Sequence, residues 1–460
     1  MIDDTIAAIA TSPGEAGIGI VRLSGPMAVE ILDQVFVPSK GKSIKAFPSR
    51  RLTHGYIVHP HTQDKIDEAL VVYMKGPHTY TAEDVAEIDC HGGIVPVRRI
   101  LSLVLSMGAR MAEPGEFTKR AFLNGRIDLA QAEAVMDVIS AKTEKGFDIA
   151  LGQLEGSLSK EVHKIRNNIL EMIAHITVNI DFPDEDIEEI TYHGLEKQAQ
   201  AIVDIIDTLL ATAHTGKIIR EGLKTVIIGK PNVGKSSLMN ALLKESRAIV
   251  TEIPGTTRDV IEEYVSIQGI PLKIVDTAGI RETEDLVEKI GVERSKEFFN
   301  KADLIIFVLN ASESLTEEDR QIIQLVNDRD AIILLNKTDL PMVVNEGELQ
   351  EMLPGKKVIR ISVTEGIGLK EIEDTIAQMV YGGQVKHKEL SLVTNVRHQN
   401  ALERAKRSME DAVKAIQTNM PLDFVEVDVR DCWEYLGEIT GDTVGEDIID
   451  RIFANFCLGK

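Results

Sequence analysis

The sequence predicts an α/β plus α protein in three parts. A small N-terminal α/β domain comes first. A helical domain formed by two chain segments follows, with a parallel-sheet α/β domain inserted between the segments. Three observations carry this reading: short strand-and-turn sequences over residues 1–124, apolar residues at three-to-four spacing over 125–216 and 384–460, and strand–helix alternation over 217–383. A length of 460 residues suits about three domains.

In the first part, GIGIVRLSGP (17–26) and ALVVYMKGP (69–77) read as strands ending in turns, and VPVRRILSLVLSMGAR (95–110) has helical periodicity. In the second, LEKQAQAIVDIIDTLLATAH (195–214) predicts one helix, with Leu195, Ile202, Ile206, Leu209 and Ala213 on its apolar face. DFPDEDIEEI (181–190) carries six carboxylates and reads as a solvated loop. In the third, the apolar runs KTVIIG, LKIVDT, DLIIFVLN and AIILLNK each precede a loop and helical sequence, the pattern of a parallel sheet covered by helices. ALERAKRSMEDAVKAIQT (401–418) then predicts an amphipathic helix of the second helical segment. An insertion of this kind succeeds where chain ends lie close together.

Hydrophobic residues make up 43% and charged residues 27%, an ordinary soluble composition. Neither a signal peptide nor a run of the roughly 20 apolar residues needed to span a bilayer is visible. Three cysteines with no CxxC pair fit a cytoplasmic protein without disulfides or a zinc site. The net charge of −22 argues against a simple nucleic-acid-binding module, so any RNA role needs a local patch or a basic partner.

The sequence GKPNVGKS (229–236) follows the strand TVIIG and matches GxxxxGK[ST]. Its backbone N–H groups, from Asn232 through Ser237, and the following helix dipole would cradle phosphates. Lys235 would reach the β- and γ-phosphates and Ser236 would hold Mg²⁺. Asp276 ends the strand LKIVD, where a carboxylate can hold Mg²⁺ through water. The turn it opens, Thr277, Ala278 and Gly279, offers an N–H to the γ-phosphate. NKTD (336–339) follows AIILL. A buried Asp339 would accept two hydrogen bonds from guanine and reject adenine, with Asn336 and Lys337 bracing the base. Ser362, Val363 and Thr364 follow the strand KVIRI, where a backbone N–H would meet the guanine oxygen. In this order, each at a strand's carboxyl end, these motifs predict a Ras-like P-loop GTPase domain that binds GTP and GDP.

Position 280 holds isoleucine, where Ras-type enzymes keep a water-orienting glutamine at or beside this point. Two compensations are visible. The Asn232 side-chain oxygen would ligate a monovalent cation near the phosphates, under the segment TEIPGTTRD (251–259) with its Mg²⁺-binding threonine. Alternatively, one of Glu282, Glu284, Asp285 or Glu288 would orient the water; the residues alone do not choose among them.

The chain resembles the MnmE (TrmE) family of tRNA-modification GTPases from end to end. The resemblance rests on GIGIVRLSG, EIDCHGG (87–93), PGEFTKRAFLNGRIDLAQAEA (114–134), GKPNVGKSSLMN, PGTTRD, DTAGIRE and the terminal FCLGK (456–460). The PGEFTKRAFLNG stretch and the FCxGK ending are specific to that family; Leu458 replaces its usual isoleucine.

The resemblance implies potassium-activated GTP hydrolysis. Asn232, Thr251, Ile253 and Thr256 would ligate K⁺, Ser236 and Thr257 would hold Mg²⁺, and Glu288 would orient water. It implies a tetrahydrofolate derivative, in the 5-formyl or 5,10-methylene form, held by Arg22, Glu87, Arg126 and Lys460. It also implies a homodimer through the N-terminal domain with nucleotide-dependent pairing of the GTPase domains. With the FAD-dependent partner MnmG (GidA), the protein would modify carbon 5 of the wobble uridine, position 34, in certain tRNAs to the carboxymethylaminomethyl or aminomethyl form. Cys457 reads first as a small buried apolar side chain, with a reactive role as the alternative. His91 reads as a turn residue, and Trp433 and Tyr435 as packing residues. A competing reading is a regulatory GTPase switch in ribosome assembly or RNA metabolism, without one-carbon chemistry.

Overall fold

The computed structural model describes residues 4–41, 43–181, 192–245, 263–274, 299–300, 302–382 and 392–460. The chain divides into two compact units. The first takes residues 1–136, 154–166 and 433–460; the second takes 137–153 and 167–432.

The first unit is built on seven strands: β1 (Ile6–Ile9), β2 (Ala16–Ser24), β3 (Phe36–Pro38), β4 (Thr53–Val58), β5 (Lys65–Met74), β6 (Val85–Gly92) and β7 (Arg110–Met111). Their order is β3-β4-β5-β6-β2-β1-β7. Neighbours are antiparallel except β1 and β7. Alternation decides the faces. Val21 and Leu23 of β2, Ala69 and Val71 of β5, and Ala86, Ile88 and Cys90 of β6 point to one side. There they join the apolar faces of α1 (Ala28–Val35) and α2 (Ile94–Ser106) in one core. The intervening residues, Arg22 and Glu87 among them, therefore point to the opposite face.

The helix expected over 95–110 ends at Ser106. The Arg110 N–H donates instead to the Thr5 carbonyl (2.8 Å), so residues 110–111 join the sheet. Tertiary pairing overrides the helical pattern there. On the opposite face of the sheet, α3 (Glu116–Leu123) packs Phe117 against Ile6, Ala8 and Ala112. Helix α4 (Leu129–Ser140) opens with Leu129 and Ala132, which share a small core with Ile449, Phe453 and Phe456. The last segment of the chain is thereby anchored beside α3.

The second unit holds a six-stranded sheet: β8 (Leu223–Ile228), β9 (Glu263–Ile267), β10 (Ile270–Ile274), β11 (Leu304–Asn310), β12 (Ala331–Asn336) and β13 (Lys357–Arg360). The order is β13-β12-β11-β8-β10-β9, parallel throughout except for the β9–β10 pair. β11 and β12 are buried along their whole length, as continuous apolar runs in a two-faced parallel sheet must be.

The helix expected over 195–214 is two helices, Tyr192–Leu210 and Ala213–Glu221. Thr212 makes the break. Its hydroxyl donates to the Leu209 carbonyl (2.6 Å) and accepts from the Val393 N–H (3.0 Å), competing with the helical ladder. The helix expected over 401–418 spans Val396–Gln417. It lies along the 192–210 helix, with Lys406 on Asp207 (2.6 Å) and Gln417 on Glu196 (2.9 Å) at the contact. No helix of the described residues is long and apolar enough to cross a membrane. Of the acidic segment 181–190, only Asp181 lies among the described residues.

Candidate functional site

The phosphate loop leaves the carboxyl end of β8 and runs into the helix Lys235–Glu245, where N–H groups and the helix dipole favour an anion. Three residues of the loop hold backbone at positive φ: Gly229 at +143°, Asn232 at +62° and Gly234 at +103°. A Cβ on Gly234 would meet Asn336 Nδ2 at 2.2 Å, so this position tolerates only glycine. The close approach exists because Asn336 Nδ2 donates to the Val233 carbonyl (2.7 Å). Asn336 Oδ1 accepts from the Val363 N–H (3.3 Å). One buried amide at the end of β12 thus ties the phosphate loop to the loop after β13.

Lys235 lies folded on its own loop, donating to the carbonyls of Gly229 and Lys230 at 2.6 Å each. Burial lowers the pKa of its ammonium below the usual lysine range. An anion at the loop would offer the charge a better partner than two neutral carbonyls. Ser236 and Ser237 are exposed on the first helical turn, and Asn232 is exposed on the loop.

Asp339 is exposed, where the sequence reading expected it buried. It accepts from the Ser362 hydroxyl (2.6 Å), and that bond is the first cause of a carboxyl pKa below its ordinary value. Thr364 shares the Ser362 hydroxyl at 3.0 Å. Lys337 holds φ +66°, which turns the chain between Asn336 and Asp339. Asn232, Val233, Gly234, Lys235, Asn336, Asp339, Ser362 and Val363 therefore belong to one carboxyl edge of the sheet, where open α/β sheets bind ligands. Thr251, Ile253, Thr256, Thr257, Asp276, Thr277, Ala278, Gly279, Ile280, Glu282, Glu284, Asp285 and Glu288 lie outside the described residues.

One brace of this loop was not read from the sequence. Lys230 Nζ pairs with Asp319 Oδ2 at 2.8 Å, and Asp319 also closes the capping box of the helix Glu317–Val326. The signal was present as T-x-x-D before an apolar-periodic stretch; its link to Lys230 was not.

A second cluster lies in the first unit, on the sheet face opposite its core. Arg22 on β2 and Glu87 on β6 are cross-strand partners, joined Nε to Oε1 at 2.7 Å. The Arg22 guanidinium lies over the rings of Tyr80 (5.9 Å) and Phe117 (5.8 Å), and Arg126 lies over Tyr80 at 4.7 Å. Arg22 Nη1 also approaches the Gly459 carbonyl at 3.5 Å. Gly459 is held at φ +89°, and a Cβ there would meet the Ile9 carbonyl at 2.3 Å, so the tail docks closely on β1. Lys460 donates its N–H to the Cys457 carbonyl (3.3 Å), which also accepts from Gly115 (3.3 Å). These contacts gather Arg22, Glu87, Arg126 and the residue before Lys460 around Tyr80. The sequence reading missed Tyr80, Phe117 and Gly459. Asp89, beside Glu87 on β6, has its carboxyl pKa raised, by burial first and by the Glu87 charge second.

Tyr80 is itself fastened from α3 and the turn after it. Its hydroxyl bonds Thr118 (2.9 Å), and Asn124 donates to the Thr81 carbonyl (2.7 Å). Arg120, fully buried, pairs with Asp4 (2.6 Å), Glu116 (3.0 Å) and Glu83 (3.2 Å).

Cys457 is exposed, which overturns the expectation of a buried apolar side chain. Cys90 and Cys432 are the buried cysteines; burial pushes the Cys90 thiol up to about 11 and Cys432 further still. His91 is exposed and pairs its Nδ1 with Asp67 (2.7 Å) at the end of β6. Trp433 packs under the Arg166 guanidinium at 4.1 Å. Among the described residues, no group of three or more His, Cys, Asp or Glu side chains is placed to hold a metal.

Comparison with known proteins agrees with this layout. A family model described as the MnmE helical domain matches residues 129–457, and one described as the GTP-binding protein TrmE N-terminus matches residues 5–126. The chain is 63% identical to the tRNA modification GTPase MnmE of Alkaliphilus oremlandii over the whole of both chains. It is 64% identical to the protein so named in Alkaliphilus metalliredigens, again over the whole of both. Against that of Bacillus subtilis the identity is 52%, over 99% of this chain and all of the other.

Proposed function

The chain belongs to the MnmE family of tRNA modification GTPases, and from that premise we propose that it is a potassium-activated GTP hydrolase acting on tRNA with a flavin-dependent partner. In this reading the partner, MnmG (GidA), supplies FAD. The pair converts carbon 5 of the wobble uridine in certain tRNAs to the carboxymethylaminomethyl or aminomethyl form with a folate one-carbon unit. The observation that carries the GTPase half is the Asn336 amide. It links the phosphate loop through Val233 and the 362–364 loop through Val363, so the phosphate and base ends of a nucleotide site share one support.

The residues divide the work. Lys235 would leave the Gly229 and Lys230 carbonyls for the β- and γ-phosphates. Ser236, with Thr257, would hold Mg²⁺. Asp339 would bind the guanine N1–H and 2-amino group, and Asn336 would brace the pocket. Bound Mg²⁺ and K⁺ would together supply positive charge for the transition state, K⁺ where other hydrolases place an arginine. The donor set fits. Asn232 is an exposed amide oxygen on left-handed backbone, and Thr251, Ile253 and Thr256 would complete its site. Glu288 would orient the attacking water that Ile280 leaves without a side-chain partner.

The Arg22 cluster suits a tetrahydrofolate derivative. Guanidinium groups bind its glutamate carboxylates, Glu87 accepts from pterin amino groups, and Tyr80 offers a flat stacking face. Lys460 would complete this site, and the exposed Cys457 stands near it along the chain. The domain limits proposed are 1–124, 125–216, 217–383 and 384–460. The assembly proposed is a cytoplasmic homodimer through the first domain, with nucleotide-dependent GTPase-domain pairing.

The test is steady-state GTP turnover in KCl against NaCl at equal ionic strength. Turnover many-fold faster in KCl, lost in Asn232→Ala, is the expected result. Equal rates in the two salts would overturn the potassium mechanism.

A further inference from the structure

A groove of about 380 Å³ lies in the first unit between α2 and the β4–β5 hairpin, away from the Arg22 cluster. His59, Arg98, Arg99, Ser102, Leu103 and Ser106 line it, and no carboxylate does. Arg98 and Arg99 are exposed, and no ion pair engages either among the described residues. The chain carries a net charge of −22, yet this groove presents two adjacent guanidiniums and no lining carboxylate. His59 Nδ1 accepts from the N–H groups of His61 (3.4 Å) and Thr62 (3.3 Å). With Nδ1 accepting, Nε2 is left as the ring's donor. Lys65 adds an ammonium on the same hairpin, over the Tyr56 ring at 3.9 Å.

The nearby carboxylates do not cancel this. Asp67 is committed to His91, accepting from its Nδ1 (2.7 Å) and its backbone N–H (2.9 Å). Asp64, in the turn of the hairpin, accepts the His59 N–H on its backbone carbonyl (3.0 Å) and does not line the groove.

We propose that this groove binds the phosphodiester backbone of the substrate tRNA. The proposal rests on the reading of the chain as a tRNA modification GTPase. Guanidinium forks match phosphate oxygens in pairs, and the hydroxyls of Ser102 and Ser106 are adaptable donors beside them. The groove lacks the aromatic anchors on which protein interfaces concentrate their energy. An acidic protein is therefore the weaker occupant. Backbone contacts of this kind fix register on the RNA and read no sequence, which suits an enzyme whose chemistry is set elsewhere.

The test uses the full chain and total bacterial tRNA, with binding measured by filter retention from about 50 to 200 mM KCl. In Arg98→Glu/Arg99→Glu, affinity at the low-salt end should fall roughly tenfold or more, and the slope of log affinity against log salt should shrink by about 2, one per lost phosphate contact. Arg98→Lys/Arg99→Lys, which keeps the charge, should recover most of the affinity. If the glutamate pair lowers the melting temperature, Arg98→Gln/Arg99→Gln decides in its place. Unchanged affinity and slope in the charge-removing pair would overturn the proposal. So would displacement of the protein from an acidic polypeptide, but not from tRNA, by the same substitutions. Failure of the unaltered chain to retain tRNA at low salt would also sink it, while GTP turnover in potassium would still report separately on the proposed function.

Discussion

The phosphate loop and the Arg22 cluster are built in opposite ways. The loop is local: the residues from Gly229 to Ser237 run through one turn between β8 and the next helix, and among the described residues the side chains of Asn336 and Asp319 reach in to bond it. The Arg22 cluster draws Arg22, Tyr80, Glu87, Arg126 and Gly459 from five stretches of chain. A local site depends on turn chemistry and tolerates change in distant packing. An assembled site depends on whatever aligns its strands and anchors the last segment. Here that means the buried ion pairs of α3 and the close docking of residue 459.

The largest expected effect separates the two regions at the loop. Lys235→Ala removes the charged donor proposed to reach the β- and γ-phosphates, and GTP turnover should fall by about two to three orders of magnitude. Urea unfolding should change little, because among the described residues Lys235 bonds just two carbonyls of its own loop. A comparable loss of stability would show that the loop is not a local device.

Arg120→Met probes the other region. It strips one partner each from Asp4, Glu83 and the buried Glu116, leaving Arg110 on Asp4 and Glu116, and should cost about 3 kcal/mol in urea unfolding of the first unit. GTP turnover, measured where the variant is folded, should stay near its starting value. If turnover collapsed as well, the two regions would be less separate than their construction implies.

Gly459→Ala should then act on the cluster without touching the core. Its Cβ would meet the Ile9 carbonyl at 2.3 Å, on backbone at φ +89°, so the tail must lift from β1. Binding of 5-formyltetrahydrofolate should weaken roughly tenfold, the value of about one lost charge-assisted hydrogen bond. Calorimetric titration checks this, and unchanged affinity would remove the tail from the site.

The smallest expected effect is on acid stability. Burial raises the Glu116 carboxyl, but hydrogen bonds from Arg110, the Glu113 N–H and Arg120 outweigh it, and the net pKa falls below the ordinary 4.5. A depressed folded value stabilises the fold above about pH 4.5. That contribution fades as pH drops through the lower folded value. The urea midpoint of the first unit should therefore fall between pH 5 and pH 3, and fall less in Glu116→Gln. An equal fall in both would place the acid sensitivity in other carboxylates.

Much of this molecule was legible in the residues. Apolar runs of five to seven residues ending in GKPNVGKS, NKTD and SVT mark parallel strands with their functional loops, because glycine, asparagine and aspartate are placed where the backbone must turn. The long amphipathic helix over 401–418 was legible by its period and begins a few residues earlier. Two helical readings were less faithful. In each, one tertiary hydrogen bond decided: the Arg110 N–H on the Thr5 carbonyl, and the Val393 N–H on the Thr212 hydroxyl. Such a partner lies more than a hundred residues away and leaves no mark in a local window.

By itself, the sequence determined the order of strand–helix units, the phosphate and base loops, and the family that the PGEFTKRAFLNG and FCLGK stretches point to. These depend on local backbone chemistry and on side-chain period, both of which are written in consecutive residues. The tertiary structure alone decided that Tyr80 lies beneath two arginines, that Arg120 is buried among three carboxylates, that Cys457 is exposed, and that residues 433–460 join the same compact unit as residues 1–136. Each of those facts is a meeting of distant segments. It is set by which apolar surfaces exclude water together, and no spacing along the chain encodes it.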